Sequence, residues 1–514
     1  MRINIGSRKS DLARLQAYRV GEAIQKKLGS GSVEIIFHFK ESLGDKNLTD
    51  PLWKMPEKGV FTEDFYQDLL TGQVDMVVHS WKDLPTEGKP ETEIYATLPR
   101  ADQRDLLLVK KNHLHKVQQQ GCIKIFSSSP RRFYNLEPFL KKVIPAVNAS
   151  MDIHFENVRG NIPTRVRKLL ESDDIDGLVL AKAAVDRLLQ ASEPEFASVQ
   201  EFLRQALQKM HWMVLPLSEN PTAAAQGALA IEILKTRTDL KSVLDLINDS
   251  STQQDVLQER KILGQYGGGC HQKIGVSLFK NQFLFLKGLT DHGQVLNQTQ
   301  SLLPSATTKL SEAELISSQS FQFFKRQEMV TDFTGAGKNI LVTRYEKSVL
   351  PYLREANLVW AAGVETWMQL AAQGIWVSGC LDNLGDPIGV DTLISNAGHA
   401  TWYKLSHAQA LDISKNIPAE SSDSTNKYIQ VAYYELVPSQ SLDSLRAQMQ
   451  ALLVGKKMIY WRSGSQFLMA LQLGLNVSDF YHACGPGLTA QILSKYSLPY
   501  IFYSEQDWRQ QCQK

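Results

Sequence analysis

The residues of this chain best suited to chemistry fall into three groups. The first is cationic: Arg8 in Gly6-Ser7-Arg8-Lys9-Ser10, Lys82 in His79-Ser80-Trp81-Lys82-Asp83, Arg131 and Arg132 in Ser127-Ser128-Ser129-Pro130-Arg131-Arg132, and Arg159 in Asn157-Val158-Arg159-Gly160-Asn161, with Arg165 close behind. Each of these motifs follows a short apolar run. A single arginine in such a place is an ordinary solvated helix start, but recurrence at successive strand ends points to an anion-binding cleft. The planar fork of arginine suits carboxylates or phosphates held in one orientation. One charge-assisted hydrogen bond contributes only about 1.5–3 kcal/mol net, so several converging on one ligand imply a polyanion.

The second group is a single carboxylate, Asp83, directly after Lys82. A lone anion among bases suits hydrogen bonding to N–H groups or stabilising a developing cation. The competing reading is an internal salt bridge to a neighbouring arginine. The third group is the loop Tyr266-Gly267-Gly268-Gly269-Cys270-His271. Consecutive glycines cost backbone entropy on ordering and mark a conformation or close approach that a side chain forbids. The thiol they deliver could be a nucleophile, a metal ligand or a covalent attachment point, or a free thiol on an ordinary turn.

Elements able to position these groups can be read from periodicity. Arg2 to Ile5 reads as a buried strand, and Ser10 can cap a helix whose Val20, Ile24 and Leu28 recur every four residues. Val33 to Phe39 alternates as a strand, and the long polar segment from Glu41 to Lys58 reads as a mobile flap. Further strands end at Val78, Phe126, Phe155 and Leu180, and Pro163 suits the first turn of a helix carrying Arg165. Strands alternating with helices imply βαβ units and a mainly parallel sheet, with ligands beyond the carboxyl ends of its strands. Helix N-termini there add donors and positive dipole ends. Pro221 to Glu232 reads as a helix, Thr252 to Leu263 as another, and Lys273 to Leu278, Gln282 to Thr290 and Gln294 to Ser301 as a small antiparallel meander. The Ser- and Thr-rich stretch from Leu302 to Asn339 reads as a linker with a short helix near Ser311 to Phe324, and Ile340 to Arg344 opens a second α/β region.

Composition bounds the rest. At 514 residues the chain is too long for one core and implies about three to five domains. Lys and Arg number 56 against 54 Asp and Glu, so no global field draws the protein to nucleic acid or an anionic membrane. Five scattered cysteines without a C-x-x-C pair argue against a disulfide framework or a zinc site, and fit a reducing cytoplasm. The N-terminus lacks the apolar core of a signal peptide and no apolar run reaches membrane-spanning length, so a soluble, unexported protein is expected.

Six motifs then coincide in order: Ile5-Gly6-Ser7-Arg8-Lys9-Ser10; Val78 to Pro85; Arg100 to Asp105; Ser128-Ser129-Pro130-Arg131-Arg132; Val158-Arg159-Gly160-Asn161 with Thr164-Arg165; and Gly268-Gly269-Cys270. Residues 1 to about 305 thereby resemble porphobilinogen deaminase, also called hydroxymethylbilane synthase. The resemblance implies two periplasmic-binding-protein-like (type 2) α/β lobes plus a small α+β cofactor-bearing domain, followed by a C-terminal α/β region. Its boundaries would be 1–100 with 201–220 for the first deaminase domain, 101–200 for the second, and 221–305 for the third, then a linker at 306–337 and a last region at 338–514. It implies a transferase that condenses four molecules of porphobilinogen head to tail, with loss of ammonia, on a dipyrromethane cofactor joined to Cys270 by a thioether. Lys82, Asp83, Ser129, Arg131 and Arg132 would hold the cofactor, and Arg8, Arg159, Arg165, Arg104, Arg187 and Lys58 the substrate carboxylates. Asp83 would hydrogen-bond pyrrole N–H groups, promote ammonia loss and stabilise the cationic azafulvene-like intermediate. No metal, nucleic acid or membrane partner is implied, and a monomer is expected.

Departures from the family pattern are Pro56, Glu57 and Glu63 in and after the flap, Lys182 where a small residue is usual, Ala225 for a glycine, and Lys273 for a proline. In the C-terminal region, Asn339 to Arg344, Gly374 to Gly379, Met458 to Tyr460 before Arg462-Ser463-Gly464-Ser465, and Ala483 to Ala490 resemble uroporphyrinogen-III synthase. An active synthase and an inactive remnant both remain open. The alternative for the whole is a two-lobed cytoplasmic anion-binding or regulatory module, which gives Cys270 no task.

Overall fold

The protein, seen in a computed structural model, is described over residues 1–29, 31–41, 63–146, 151–267, 272–303, 309–385, 388–394, 400–410 and 427–512. It divides into two units, one of residues 1–142, 146–281 and 285–298, the other of 143–145, 282–284 and 299–514.

The first unit is built on two five-stranded sheets of the same design. One runs in the order Glu34–Lys40, Arg2–Arg8, Met76–Ser80, Leu229–Leu234, Thr92–Ala96, with the first three parallel and Leu229–Leu234 antiparallel to both neighbours. The other runs Asp152–Glu156, Cys122–Phe126, Gly177–Ala181, Asp105–Lys110, Met210–Val214, with Asp105–Lys110 as the reversed strand. The fold is mixed α/β, and the expected mainly parallel sheet is corrected by one reversed strand in each. Alternation drives the pairing: Ile3, Ile5, Met76, Val78, Ile231 and Ile233 form one core with Val20 and Ile24 of the Asp11–Leu28 helix.

Two expected boundaries move for the same reason. Pro221 to Glu232 is not a helix; despite its alanines, Leu229–Leu234 is a strand wedged between two others, fully buried up to Leu234. Strand pairing overrides helix propensity there. Met210–Val214, placed in the first domain by the sequence reading, completes the second sheet, whereas Leu229–Leu234, placed in the third, completes the first. The chain therefore crosses between sheets at 97–104 and returns at 215–228.

The Ser250–Gly264 helix follows, capped by Asp249 accepting from Thr252 N–H. A three-stranded sheet of Lys273–Phe279, Phe283–Leu289 and Val295–Ser301 comes next, within about a residue of the expected meander. Lys280 and Asn281 both adopt positive φ (52° and 54°), as a two-residue hairpin turn requires.

In the second unit, Leu315–Ser317 pairs in parallel with Met458–Trp461, which continues to Tyr481–Cys484 and Tyr500–Ile501. Between those first two strands the chain builds another sheet, in the order Phe324–Glu328, Lys427–Pro438, Thr401–His407, Asn339–Val342, Leu358–Ala361. The expected linker at 306–337 thus contains two sheet strands. Its serines and threonines hide a buried apolar set, Leu310, Leu315, Ile316, Phe321 and Phe323. Among the described residues no helix is long and apolar enough to cross a membrane.

Asp255, 5% exposed on the Ser250–Gly264 helix, accepts the N–H of Asn281 at 2.9 Å. Burial pushes its carboxyl up to about 6, against the lowering by that hydrogen bond. A folded-state value above the unfolded one contributes stability that is complete below the unfolded value and lost as pH rises through the folded one. Asp255→Asn keeps an acceptor for Asn281 and removes the buried charge. It should stabilise the protein by on the order of 2 kcal/mol at pH 7.5 and lose that advantage at pH 4.5. Urea melts at the two pH values check this; a variant less stable at pH 7.5 contradicts it.

Candidate functional site

The site forms where the two crossing segments of the first unit meet. Ala101 N–H donates to Gly227 O at 3.2 Å, and Arg100 Nε to Gln226 O at 2.9 Å. Gly227 has φ +90°, and a Cβ there would lie 2.5 Å from Ala101 O, so only glycine lets the segments touch. Ala225 also adopts a positive φ of 67°, a conformation that costs a non-glycine residue about 1–2 kcal/mol.

At this crossing lies Asp105, fully buried at the start of its strand. Its carboxylate accepts from Arg131 Nη2 (3.0 Å), Arg132 Nε (3.0 Å) and Nη2 (2.6 Å), Asn220 Nδ2 (2.9 Å) and Gln226 Nε2 (2.8 Å). Burial alone would raise its pKa; Arg132 and Arg131 outweigh it and hold the carboxyl well below the usual carboxylate range. Arg131 also donates to Asn220 Oδ1 and Pro221 O, and Arg132 to Val179 O. Each guanidinium has five N–H groups, and three on each are committed among the described residues. One carboxylate thus fixes two arginines and leaves the group cationic.

Gln226 extends the cluster, its Oε1 accepting from Lys82 Nζ at 3.3 Å. Desolvation lowers the Lys82 pKa, with Asp83 and Asp105 opposing and Arg132 and Arg131 reinforcing. Lys82 and Asp83 occupy a single turn of 3-10 helix, Trp81–Asp83, anchored by Trp81 packed against Ala225, Ala228, Ala230 and Val256. Arg260 of the Ser250–Gly264 helix grips the same turn, donating to Trp81 O (3.4 Å), Leu84 O (3.2 Å) and Pro85 O. Asp83 itself is exposed, and among the described residues it accepts no hydrogen bond.

Arg165 joins electrostatically. It donates Nε to Gly160 O at 2.7 Å, and burial, then Arg132 and Arg159, lower its pKa to about 10 while Asp83 opposes. Its helix starts as the sequence requires, with Asn161 Oδ1 accepting from Thr164 N–H and Pro163 in the first turn. Ser128 Oγ locks the neighbouring loop to Val158 O at 2.7 Å, and Ser129 is half-buried beside it. Arg8 closes its strand opposite Lys40 in register.

Two expected substrate arginines are engaged by groups of the protein itself. Arg104 is turned onto Asp102, which accepts from its backbone N–H and from Nε and Nη2. Arg187 donates Nη2 to Gly227 O at 2.6 Å, and burial lowers its pKa to about 10. Cys270 and Lys58, and the flap around Pro56 and Glu57, lie outside the described residues. Glu63, beyond the flap, bonds Lys89 at 3.0 Å.

The sequence reading assigned nothing to Asp105, Asn220, Gln226 or Glu259. Glu259, fully buried, takes both Arg100 nitrogens (2.7 and 2.9 Å) and the N–H groups of Ala225 and Leu278 (2.7 Å each). The available signal was a carboxylate abutting an apolar strand, Asp105-Leu106-Leu107-Leu108-Val109, which has to be paired to be buried.

Comparison with known proteins bears on this arrangement. A sequence profile for "Porphobilinogen deaminase, dipyromethane cofactor binding domain" matches residues 3–242. Porphobilinogen deaminase of Desulfitobacterium hafniense (strain DSM 10664 / DCB-2) is 35% identical over 305 residues, 58% of this chain and 88% of that protein. Its counterpart in Caldicellulosiruptor saccharolyticus is 35% identical over 275 residues, 54% of this chain and 83% of that one. Among solved structures, a uroporphyrinogen-III synthetase from Helicobacter pylori 26695 matches 38% of this chain and 97% of its own at 12% identity and a TM-score of 0.25, a likeness that carries no argument.

Removing the central carboxylate leaves two buried cations uncompensated. Asp105→Asn should therefore cost about 3–5 kcal/mol of stability in the first unit. Urea denaturation followed by hydrogen exchange in the 105–110 and 210–214 strands measures it; a loss under 1 kcal/mol would show that Asp105 is not the hub.

Proposed function

Because the chain belongs to the porphobilinogen deaminase family, we propose that its site residues divide into fixed carboxylate holders and one exposed acid that accepts pyrrole N–H groups and offsets positive charge. The activity is that of a hydroxymethylbilane synthase, a transferase that joins four porphobilinogen molecules head to tail with release of ammonia in tetrapyrrole biosynthesis. Its dipyrromethane cofactor supplies the primer on which the chain is extended. The donor set fits such a group. Arg131 and Arg132, fixed by Asp105, with Lys82 and Ser129, would hold its carboxylates, and Cys270 would tether it by a thioether. Arg8, Arg159, Arg165, Arg187 and Lys58 would take the arms of incoming porphobilinogen, and Arg104, bound to Asp102, would act at most through its neighbour.

The observation that carries this reading is Asp83, exposed beside buried cations on a turn held from three sides. There its carboxylate can accept pyrrole N–H groups and offset positive charge as ammonia leaves. Arg165 and Lys82 are coupled electrostatically to it. The two lobes would be periplasmic-binding-protein-like, in keeping with the paired sheets of shared order, and the Ser250–Gly264 helix with the three-stranded sheet would form the cofactor-bearing domain. We read it as a cytoplasmic enzyme that works as a monomer.

A second reading concerns residues from about 309 onward, which we read as a uroporphyrinogen-III synthase-like module. It is favoured by the build of the second unit, two α/β sheets with one inserted into the other's chain, whose strand ends meet through Ser465 Oγ and His407 Nε2 (3.3 Å) and through Tyr503 O–H and Asp382 Oδ1 (3.1 Å).

Asp83→Asn should fold normally and lose at least about 100-fold in turnover, while Cys270→Ser should lose a dipyrrole adduct from the denatured protein's intact mass. Near-normal porphobilinogen consumption by the first, or an unchanged mass in the second, contradicts the assigned roles. For the second unit, purified protein given porphobilinogen should yield uroporphyrinogen III without added synthase; isomer I alone identifies an inactive remnant.

A further inference from the structure

Behind the substrate arginines the first unit buries an ion quartet that the deaminase chemistry does not itself require. Pairing of Asp105–Lys110 with Gly177–Ala181 brings Lys182 N–H to Arg104 O at 3.0 Å. The Lys182 side chain is 1% exposed, yet it carries an ammonium 2.5 Å from Asp186 Oδ2 and 3.3 Å from Asp102 Oδ2. Asp102 is also clamped by Arg104 at 2.7 Å. Two cations therefore face two carboxylates and the quartet is neutral. Burying an ammonium at this depth is unfavourable unless it is paired, and Lys182 meets that condition through Asp102 and through Asp186, one helical turn ahead on the Lys182–Leu189 helix. Arg187 is the next residue, its guanidinium attracted by Asp186 and repelled by Arg19. Its Nη2 reaches the carbonyl of Gly227, whose predecessor Gln226 bonds both Asp105 and Lys82.

We propose that Lys182 is a charge-compensating positioning residue for the deaminase reaction, cancelling Asp102 and Asp186 so that Arg187 keeps its full attraction for substrate carboxylates. With a small side chain at 182 the remaining trio carries net negative charge beside Arg187, and through a medium of intermediate dielectric that charge opposes every carboxylate the site must hold. The inference rests on Arg187 being a substrate ligand.

The test is a set of variants assayed for porphobilinogen consumption. Lys182→Met should raise KM about tenfold with kcat within about twofold, since the effect is on binding. Adding Asp186→Asn to it should return KM to near the wild-type value. Asp186→Asn alone, which preserves shape and adds net positive charge, should lower KM and steepen its rise with salt. An unchanged KM in Lys182→Met, or a raised one that Asp186→Asn does not restore, overturns the proposal, because a purely structural lysine would move stability and not follow the charge count. If Lys182→Met does not fold, Asp186→Asn alone decides, and an unchanged or higher KM overturns it. Arg187→Gln separates the two levels: if it leaves KM unchanged, the substrate-ligand reading fails, and if it raises KM while Asp186→Asn does not lower it, only the role of Lys182 fails.

Discussion

A buried carboxylate can hold several cations in place, but only while every one of its lone pairs is used. Asp105 is in that condition. It takes donors from two arginines, an asparagine and a glutamine drawn from different parts of the chain. Charge-assisted bonds of this kind are about twice as strong as neutral ones, and in a dry site they polarise one another. The segments they join are those on which the chain crosses between sheets, so the geometry of the cationic group and the joining of the two sheets are one interaction. Neither can be altered alone.

Glu259 does the same one layer away. With Arg100, Ala225 and Leu278 as partners it fixes the Ser250–Gly264 helix to the returning segment and to the three-stranded sheet. That helix also grips the turn carrying Asp83 through Arg260, and it leads directly into the glycine loop that bears Cys270. Close backbone approaches complete the fastening, since a Cβ at Gly275 would stand 2.0 Å from Pro221 O. Ala225 keeps its left-handed conformation against its own preference because its N–H is held by Glu259 on a fully buried segment. Strain here is sustained by the network that also positions the acid.

The cationic residues that the structure brings together were legible in the sequence because they sit at strand ends, where punctuation by glycine, serine and proline is strong. Pro163 announced the helix carrying Arg165, and the meander after the cysteine was visible from its turns. The groups that hold those residues were not legible. Asp105, Gln226 and Glu259 act by long-range contacts, such as the 121-residue separation between Gln226 and Asp105, and no local pattern encodes such a partner. The same limit hid the strand at Leu229–Leu234, whose alanine-rich approach favours a helix until two neighbouring strands claim its backbone. It also hid Leu315–Ser317 and Phe324–Glu328, too short to show a period among serines.

The two units hold charge in different ways. In the first, arginines are buried and already desolvated by folding, so a carboxylate that reaches them meets donors whose orientation is fixed in advance. In the second, Arg326 and Arg344 share Glu346, and Arg462 and Arg509 share Glu505, with the arginine side chains between 34% and 57% exposed. Such pairs are worth little and weaken with salt. Its described lobes meet instead through neutral groups, His407 with Ser465, and through Tyr503 with the buried Asp382. A site built from fixed buried cations suits a ligand whose carboxylates must stay in register while it grows.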